Sequence, residues 1–303
     1  MWRLLRRASF AWVAWRLLTR DPVPRFQGPQ EHPLRLPGRT VFVGDLEVFV
    51  REAGPADAPP ILLVHGWGDH SLVLYARMIP LLAERFRVVV PDLRNTGKSD
   101  SRLGPYEISD LADDMAGLIG ALGIGPLPVF GYSLGGMVMQ EMVRRHPHVA
   151  THLMLGGTAS TPSLPARVPK PLIPLGIAIL RALERIDRTI HTSVRTAYLV
   201  EDGAIPQRNR RWWWTQHALR DPQLYWEAGA AVSRWDSAEW VGALGLPALV
   251  VINTEDELVN PYSEYELASR IPDVTVVEVV GAHHAGPLSH PERYAGAIID
   301  FLS

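Results

Sequence analysis

The stretch Gly131-Tyr132-Ser133-Leu134-Gly135-Gly136 decides the fold, because it predicts a sharp turn that joins a strand to a helix. Residues 127–130 before it are apolar and predict a buried strand, whereas residues 137–144 after it predict a helix. A serine at such a turn is held in a strained backbone conformation with its hydroxyl exposed. Because a serine that only caps a helix fits the same pattern, the rest of the chain must supply a base, an acid and backbone donors.

Around this turn, apolar strands alternate with helices along the chain. A hairpin is expected at residues 40–43 and 47–52, with buried strands at 61–65, 87–91, 127–130, 152–156, 248–252 and 274–280. Helices are expected at 72–86, 108–122, 137–144, 262–270 and 291–302. Because the buried strands are apolar on both faces, the pattern predicts an α/β fold with a mostly parallel, eight-stranded sheet and helices on both sides.

The alternation stops after Thr158, since residues 159–246 contain no comparable buried strand. These residues begin with a proline-rich run and continue as helical segments, which predicts a helical cap inserted after the sixth strand. The expected organisation is a core of residues 39–158 and 247–303, the cap at 159–246, and an N-terminal segment at 1–38 with a proline-rich linker.

Composition excludes several classes of function. The 303 residues are 47% hydrophobic and carry a net charge of -2, which argues against nucleic acid as the main partner. The chain has no cysteine, so disulfides, thiolate catalysis and cysteine-ligated metals are excluded. His283 and His284 are adjacent, but adjacent histidines rarely chelate one ion, and no second cluster of possible ligands has a familiar spacing. Neither a metal nor a cofactor is therefore expected.

A helix over residues 1–20 would gather leucine, alanine and tryptophan on one side and arginines on the other. Its uninterrupted apolar stretch, residues 8–15, is too short to span a bilayer, and it lacks a small-residue cleavage site. The helix therefore predicts either peripheral contact with a membrane surface or packing on the domain or on a partner chain. The expected location is the cytoplasm, at the membrane in the first case.

Further candidate residues follow the predicted strands, at the strand ends where open α/β sheets place their sites. His65-Gly66-Trp67-Gly68 follows the third strand, and its glycines would expose backbone N–H groups near the serine. The amides of Trp67 and Leu134 are the candidates for an oxyanion hole, the set of donors that stabilises developing negative charge. An ordinary turn with His65 buried and hydrogen-bonded is the alternative.

A candidate acid and a candidate base follow the last two strands. Residues 253–259 contain three acids, of which Asp256 is preferred because it precedes the residues that lead into the next helix. A carboxylate here could orient a histidine and stabilise its protonated form. Residues 281–287 contain His283 and His284, and a histidine on this loop could reach the serine as a general base.

Together these segments resemble the α/β-hydrolase superfamily over about residues 40–303. The matching stretches are His65–Gly68, Pro91–Asp100, Gly131–Gly136, Thr254–Val259 and Gly281–Pro287. The resemblance implies a catalytic triad of Ser133, Asp256 and His284, in the chain order of that family. The chain departs from the usual pattern at Asn95-Thr96, where Gly-His is common, and at His283, where glycine is common.

Within this superfamily the chain resembles the serine enzymes with a cap, which include carboxylesterases, enol-lactone hydrolases and carbon–carbon bond hydrolases. The resemblance implies a small-molecule ester substrate, lipid-like or with a medium-chain acyl group, cleaved through an acyl-enzyme. Lactone opening, carbon–carbon cleavage, acyl transfer and non-catalytic ligand binding remain open. Trp213, Trp214 and Tyr225 of the cap are candidates for an apolar substrate pocket, with plain packing as the alternative.

Overall fold

The computed structural model describes residue 26 and residues 28–162 and 189–303. The predicted amphipathic helix at residues 1–20 and the first part of the predicted cap, residues 163–188, lie outside the described residues. Within the described ranges, every helix is too short or too polar to cross a membrane.

A single sheet of eight strands organises the described residues. The strands are β1 Gly38–Val43, β2 Leu46–Ala53, β3 Pro60–Val64, β4 Arg87–Pro91, β5 Leu127–Tyr132, β6 Ala150–Gly156, β7 Ala248–Asn253 and β8 Val274–Val279. Their order across the sheet is β1-β2-β4-β3-β5-β6-β7-β8. The pairs β1–β2 and β2–β4 are antiparallel and the other neighbours are parallel, so the prediction of a mostly parallel α/β sheet is confirmed.

Helices connect the strands and cover the sheet. They are α1 Ser71–Tyr75, α2 Ile79–Leu82, α3 Ile108–Leu122, α4 Leu134–Arg145, α5 Thr189–Glu201, α6 Arg210–Leu219, α7 Pro222–Arg234, α8 Pro261–Arg270, α9 Gly286–Ser289 and α10 Pro291–Phe301. Alternate residues of β3 enter different cores: Leu62 and Val64 pack with α3 and α4, whereas Ile61 and Leu63 pack with α1, α2 and α10. Burial on both faces explains why the central strands are continuously apolar.

The helix predicted at residues 72–86 is wrong in its extent, because the structure has two short helices there. Helix α1 ends at Tyr75, and α2 begins at Ile79 with Pro80 in its first turn. A proline inside a longer helix would remove a hydrogen-bond donor and collide with the preceding turn, but it is tolerated in the first turn of a new helix. The chain therefore breaks before Pro80 and turns.

The described part of the insertion between β6 and β7 contains helices α5, α6 and α7. Ala228 and Ala231 of α7 join the core on the side of α3 and α4, whereas α5 and α6 pack on the core through a separate small cluster of buried side chains. In it, Val73 and Leu288 of the core contact the group formed by Leu199, Ile205 and Trp213 of the insertion. This cluster holds α5 over the carboxyl ends of the strands, where the candidate site residues lie.

Candidate active site

Ser133 occupies a sharp turn between β5 and α4. Its backbone has φ 55° and ψ -119°, a region that residues other than glycine rarely adopt. The glycines of the motif make this turn possible, because a Cβ on Gly131 would collide with the carbonyl oxygen of Gly135, and one on Gly135 would collide with that of Val64. The strained turn presents the Ser133 hydroxyl to solvent above the sheet.

The structure brings Ser133, His284 and Asp256 into one hydrogen-bonded chain. The Nε2 atom of His284 lies 3.1 Å from Ser133 Oγ, and its Nδ1 lies 2.7 Å from Asp256 Oδ2. The other oxygen of Asp256 accepts the backbone N–H groups of Leu258 and Val259, each at 2.8 Å. With Nδ1–H donated to the carboxylate, Nε2 is left as the atom that can accept a proton from the serine.

The neighbouring histidine has a different environment. His283 Nε2 lies 3.4 Å from Asp202 Oδ1, at the end of the insertion helix α5, and 3.9 Å from Glu255 Oε2. The two adjacent histidines therefore turn toward different partners. In the ranges that the structure covers, three or more metal-binding side chains do not converge anywhere.

The loop after β3 lies directly against the serine. A Cβ built on Gly66 would stand 3.2 Å from Ser133 Cβ, so the backbone that leads into Trp67 passes close to the nucleophile. Helix α4 begins at Leu134, so the Leu134 N–H is a first-turn amide without an acceptor inside its helix. Both predicted oxyanion donors therefore belong to backbone segments that flank Ser133.

His65 is buried and hydrogen-bonded, as in the alternative interpretation of this turn. Its ring is fully buried, donates from Nδ1 to Gly66 O at 2.9 Å, and accepts the Leu93 N–H at Nε2 at 3.0 Å. Burial lowers the pKa of His65, which favours the neutral ring that these two bonds require. His65 thus ties the loop after β3 to the loop after β4.

A cavity of about 380 Å³ opens onto Ser133 and His284. Its apolar wall is formed by Trp67, Leu199, Tyr225 and Leu258, and its charged lining includes Asp69, Arg195 and Glu257. A second cavity of about 340 Å³ shares Trp67, Asp69 and Tyr225 with the first. The rings of Trp67 and Tyr225 stack with centroids 4.8 Å apart, and Trp67 Nε1 donates to the Tyr225 carbonyl at 2.7 Å, so this pair separates the two spaces.

Two of the three predicted pocket residues lie elsewhere. Tyr225 lines the cavity beside Ser133, but Trp213 and Trp214 do not. Trp213 is buried in the cluster that joins the insertion to the core, and Trp214 donates its indole N–H to Ser193 Oγ at 2.9 Å. Consecutive residues of a helix point about 100° apart, so the tryptophan run of α6 is spread around its axis instead of forming one surface.

A buried polar network behind Asp256 and His284 was not predicted from the sequence. Asn253 donates its side-chain amide to Tyr132 Oη at 2.9 Å and to Asp256 Oδ2 at 3.3 Å, and Tyr294 donates its hydroxyl to Asn253 Oδ1 at 2.7 Å. Glu264 accepts the Asn253 N–H at 3.2 Å. Burial, together with the charge of Asp256, raises the pKa of Glu264 well above its usual value. Of these network residues, only Tyr132 and Asn253 could have been found from the sequence, because Tyr132 precedes Ser133 and Asn253 directly precedes the loop that contains Asp256.

The chain is similar to known proteins over most of its length. The chain is 24% identical over 266 residues to a bifunctional esterase/perhydrolase from Acinetobacter calcoaceticus, covering 85% of this chain and 96% of that protein. It is 27% identical over 264 residues to a pimeloyl-[acyl-carrier protein] methyl ester esterase from Chromobacterium violaceum, covering 85% and 98%. The enol-lactonase from Burkholderia xenovorans LB400 has a similar fold, with a TM-score of 0.73, 23% identity, and coverage of 88% of this chain and 99% of that one.

A sequence model of the alpha/beta hydrolase fold matches residues 59–291, which is most of the chain. The matched range begins before β3 and ends at the start of α10, so it contains the serine turn, the insertion and the loops of Asp256 and His284. With its parallel sheet and its serine at the strand-to-helix turn, the chain belongs to the alpha/beta hydrolase family.

Proposed function

We propose that this protein is a serine hydrolase that cleaves carboxylic esters of small molecules through an acyl-enzyme. The observation that carries the proposal is the hydrogen-bonded chain from Ser133 through His284 to Asp256 at an apolar cavity. Its members have the residue types and contacts that nucleophilic acyl transfer requires: a hydroxyl, a base within reach of it, and a carboxylate that orients the base.

In the first half of the reaction, Ser133 Oγ attacks the ester carbonyl while His284 Nε2 takes the hydroxyl proton. The N–H groups of Trp67 and Leu134 stabilise the negative oxygen of the tetrahedral intermediate, where loss of one such donor typically costs about 3–4 kcal/mol of barrier. When the intermediate collapses, the carbon–oxygen bond to the alcohol breaks and His284 returns the proton to the departing oxygen. The acyl group remains on Ser133.

In the second half, a water molecule attacks the acyl-enzyme while His284 removes one of its protons. The bond to Ser133 Oγ breaks, the proton passes to the serine, and the carboxylic acid leaves. Asp256 accepts the Nδ1–H of His284 and stabilises the imidazolium that forms twice in each cycle.

The relatives support an ester substrate, and the apolar wall of the cavity supports an apolar acyl group. A volume of about 380 Å³ lies near the lower end of ligand pockets, which favours short and medium chains over long ones. Two relatives are named as enzymes that cleave ester bonds, one an esterase/perhydrolase and the other a methyl ester esterase. We further propose that residues 159–246 form a lid, because α5 and α7 contribute Leu199 and Tyr225 to the cavity wall.

Hydrolysis of p-nitrophenyl esters of increasing chain length tests the proposal. We expect wild type to cleave short and medium esters, and Ser133→Ala to lose at least about 10³-fold in kcat/KM. Ser233→Ala, which removes an exposed hydroxyl from α7, is the matched control and should retain full activity. A fluorophosphonate probe should label wild type and the control but not Ser133→Ala; equal labelling of all three would refute the assignment.

Lactone opening, carbon–carbon cleavage and acyl transfer use the same residues on other substrates. Assays on a lactone, on a dienoate and with an added alcohol acceptor separate them from simple ester hydrolysis. If the folded protein neither reacts with the probe nor cleaves any substrate, a non-catalytic binding role replaces the proposal.

Peripheral membrane contact through residues 1–20 stays a prediction from the sequence. In a co-sedimentation assay with anionic vesicles, the 303-residue chain should sediment with the vesicles, whereas a variant that lacks residues 1–20 should not. Equal sedimentation of both would assign those residues to packing instead.

A further inference from the structure

One ion pair crosses the wall of the catalytic cavity. Arg195 of the insertion helix α5 donates from Nη2 to Asp69 Oδ1 at 2.7 Å, and both side chains line the space beside Ser133. Asp69 follows Trp67 by two residues on the loop after β3. The Arg195 side chain is 25% exposed and that of Asp69 is 10% exposed, so the pair is largely withdrawn from water.

The loop is shaped to accept this arginine. Gly68 has φ +76°, and a Cβ there would stand 3.0 Å from Arg195 Nη1 and 2.5 Å from the Tyr225 ring. The absence of a side chain at Gly68 therefore lets the guanidinium approach the backbone beside the nucleophile. Asp69, one residue later, turns its carboxylate onto that guanidinium.

An arginine in an apolar cavity would by itself favour a substrate that carries a carboxylate, because its planar donors match that group. Here Asp69 already occupies a donor of Arg195 and offsets its charge. A second carboxylate, that of Glu257, also lines the cavity. An acyl chain ending in a carboxylate would therefore meet the Asp69 carboxylate beside a cation that is already compensated, an arrangement that disfavours it.

We infer that Asp69 determines specificity: by neutralising Arg195, it makes the site select esters whose acyl chain is uncharged and reject hemiesters of dicarboxylic acids. The inference rests on the proposed esterase function and adds the charge class of the acyl group. Removal of the Asp69 charge, with the shape kept, should convert the cavity into one that accepts a terminal carboxylate.

The test compares two esters of equal chain length, p-nitrophenyl valerate and p-nitrophenyl hemiglutarate. Wild type should prefer the valerate ester by about 100-fold in kcat/KM, since juxtaposed like charges are costly in a desolvated site. Asp69→Asn should reduce that preference by about tenfold or more, through a lower KM for the hemiglutarate ester. Asp69→Asn combined with Arg195→Met should lose this gain, because the unmasked cation is gone.

The ratio of the two esters is the deciding quantity, since any general loss of activity in a variant affects both. A wild type that prefers the hemiglutarate ester, or an Asp69→Asn variant with an unchanged ratio, would overturn the inference. If Asp69→Asn does not fold, Asp69→Ser serves instead: it also removes the carboxylate beside Arg195 and should reduce the preference for valerate about tenfold. An unchanged ratio in that variant would equally refute the inference.

Calorimetric binding of glutarate separates this inference from the proposed function. Asp69→Asn should bind glutarate at least about tenfold more tightly than wild type, and the double variant should not. This pattern without ester cleavage would refute only the esterase proposal. Ester cleavage with equal glutarate binding in all three proteins would refute only the role of Asp69.

Discussion

Asn253 and Asp256 are joined by a hydrogen bond of 3.3 Å from Asn253 Nδ2 to Asp256 Oδ2, the same oxygen that faces Nδ1 of His284. The amide of Asn253 cannot reverse without cost, because its Oδ1 accepts the hydroxyl of Tyr294. The network therefore holds the carboxylate oxygen that orients the histidine at a fixed place and supplies it with a second donor.

This arrangement makes the Asp256→Asn variant informative. The amide keeps the size of the carboxylate but presents a donor or an uncharged acceptor to His284, which favours the wrong tautomer of the ring. We expect kcat for a neutral ester to fall by about 10⁴-fold. The thermal midpoint should also fall, because the new amide NH2 faces either the Asn253 donor or the N–H groups of Leu258 and Val259. Steady-state kinetics and thermal melts measure both; activity within tenfold of wild type would contradict the role of Asp256.

One glycine of the turn around Ser133 and one glycine of α3 give a contrasting pair of substitutions. Gly135→Ala forces a Cβ against the carbonyl of Val64, so we expect a loss of about 1–3 kcal/mol in the free energy of unfolding together with most of the activity. Gly120→Ala on the exposed side of α3 meets nothing within 4 Å and should stabilise by about 0.4–1 kcal/mol. Chemical denaturation of both variants measures the change in the free energy of unfolding, which should be a loss for Gly135→Ala and a gain for Gly120→Ala.

Tyr225 is predicted to limit the length of the acyl chain, because its ring helps to separate the two cavities. Tyr225→Ala would join spaces of about 380 and 340 Å³. We expect kcat/KM for a decanoyl ester to rise about tenfold relative to a butyryl ester. Tyr225→Phe retains the stacked ring and should keep the wild-type profile. A profile that is the same in all three proteins would show that the wall does not set chain length.

Glu264 should make the protein less stable as pH rises. Because burial raises its pKa, the folded protein keeps a proton that the unfolded chain releases above about pH 4.3. The folded state then binds more protons, so the free energy of unfolding declines with pH, by up to about 1.4 kcal/mol per unit below the raised pKa.

The Glu264→Gln variant keeps the size and the acceptor oxygen and removes this proton. Its free energy of unfolding should therefore decline less than that of wild type between about pH 5 and about pH 8. Buried histidines contribute equally to both proteins, so the difference between the two denaturation series isolates Glu264. Parallel series would mean that Glu264 has an ordinary pKa in the folded protein.

The sequence predicted features that follow from local motifs and from the general geometry of a parallel sheet. The turn at Ser133 could be read from its glycines, and the convergence of Asp256 and His284 on the serine follows from loops that leave the same edge of a parallel sheet. The break before Pro80 was missed, although proline favours the first turn of a new helix over the interior of a long one.

Other features depend on contacts between distant residues and could not be read in this way. Asp69 and Arg195 are 126 positions apart, and no local pattern pairs them. The tryptophans of α6 were expected in the pocket because of their chemistry, but the rotation of the helix against the core decides which side chain reaches it. Likewise, nothing near Tyr294 or Glu264 indicates that they meet Asn253.

The end of β3 lies beside both the turn at Ser133 and the loop to Trp67. The carbonyl of Val64 accepts the Tyr75 hydroxyl at 2.8 Å and lies against Gly135, while the next residues carry the chain past Ser133 to Trp67. The turn that carries Ser133 and the loop that leads to Trp67, a proposed amide donor, thus both lie against the end of one buried strand of the core. If the proposed function holds, substitutions in the helices above the cavity should alter the choice of substrate without displacing the backbone on either side of Ser133.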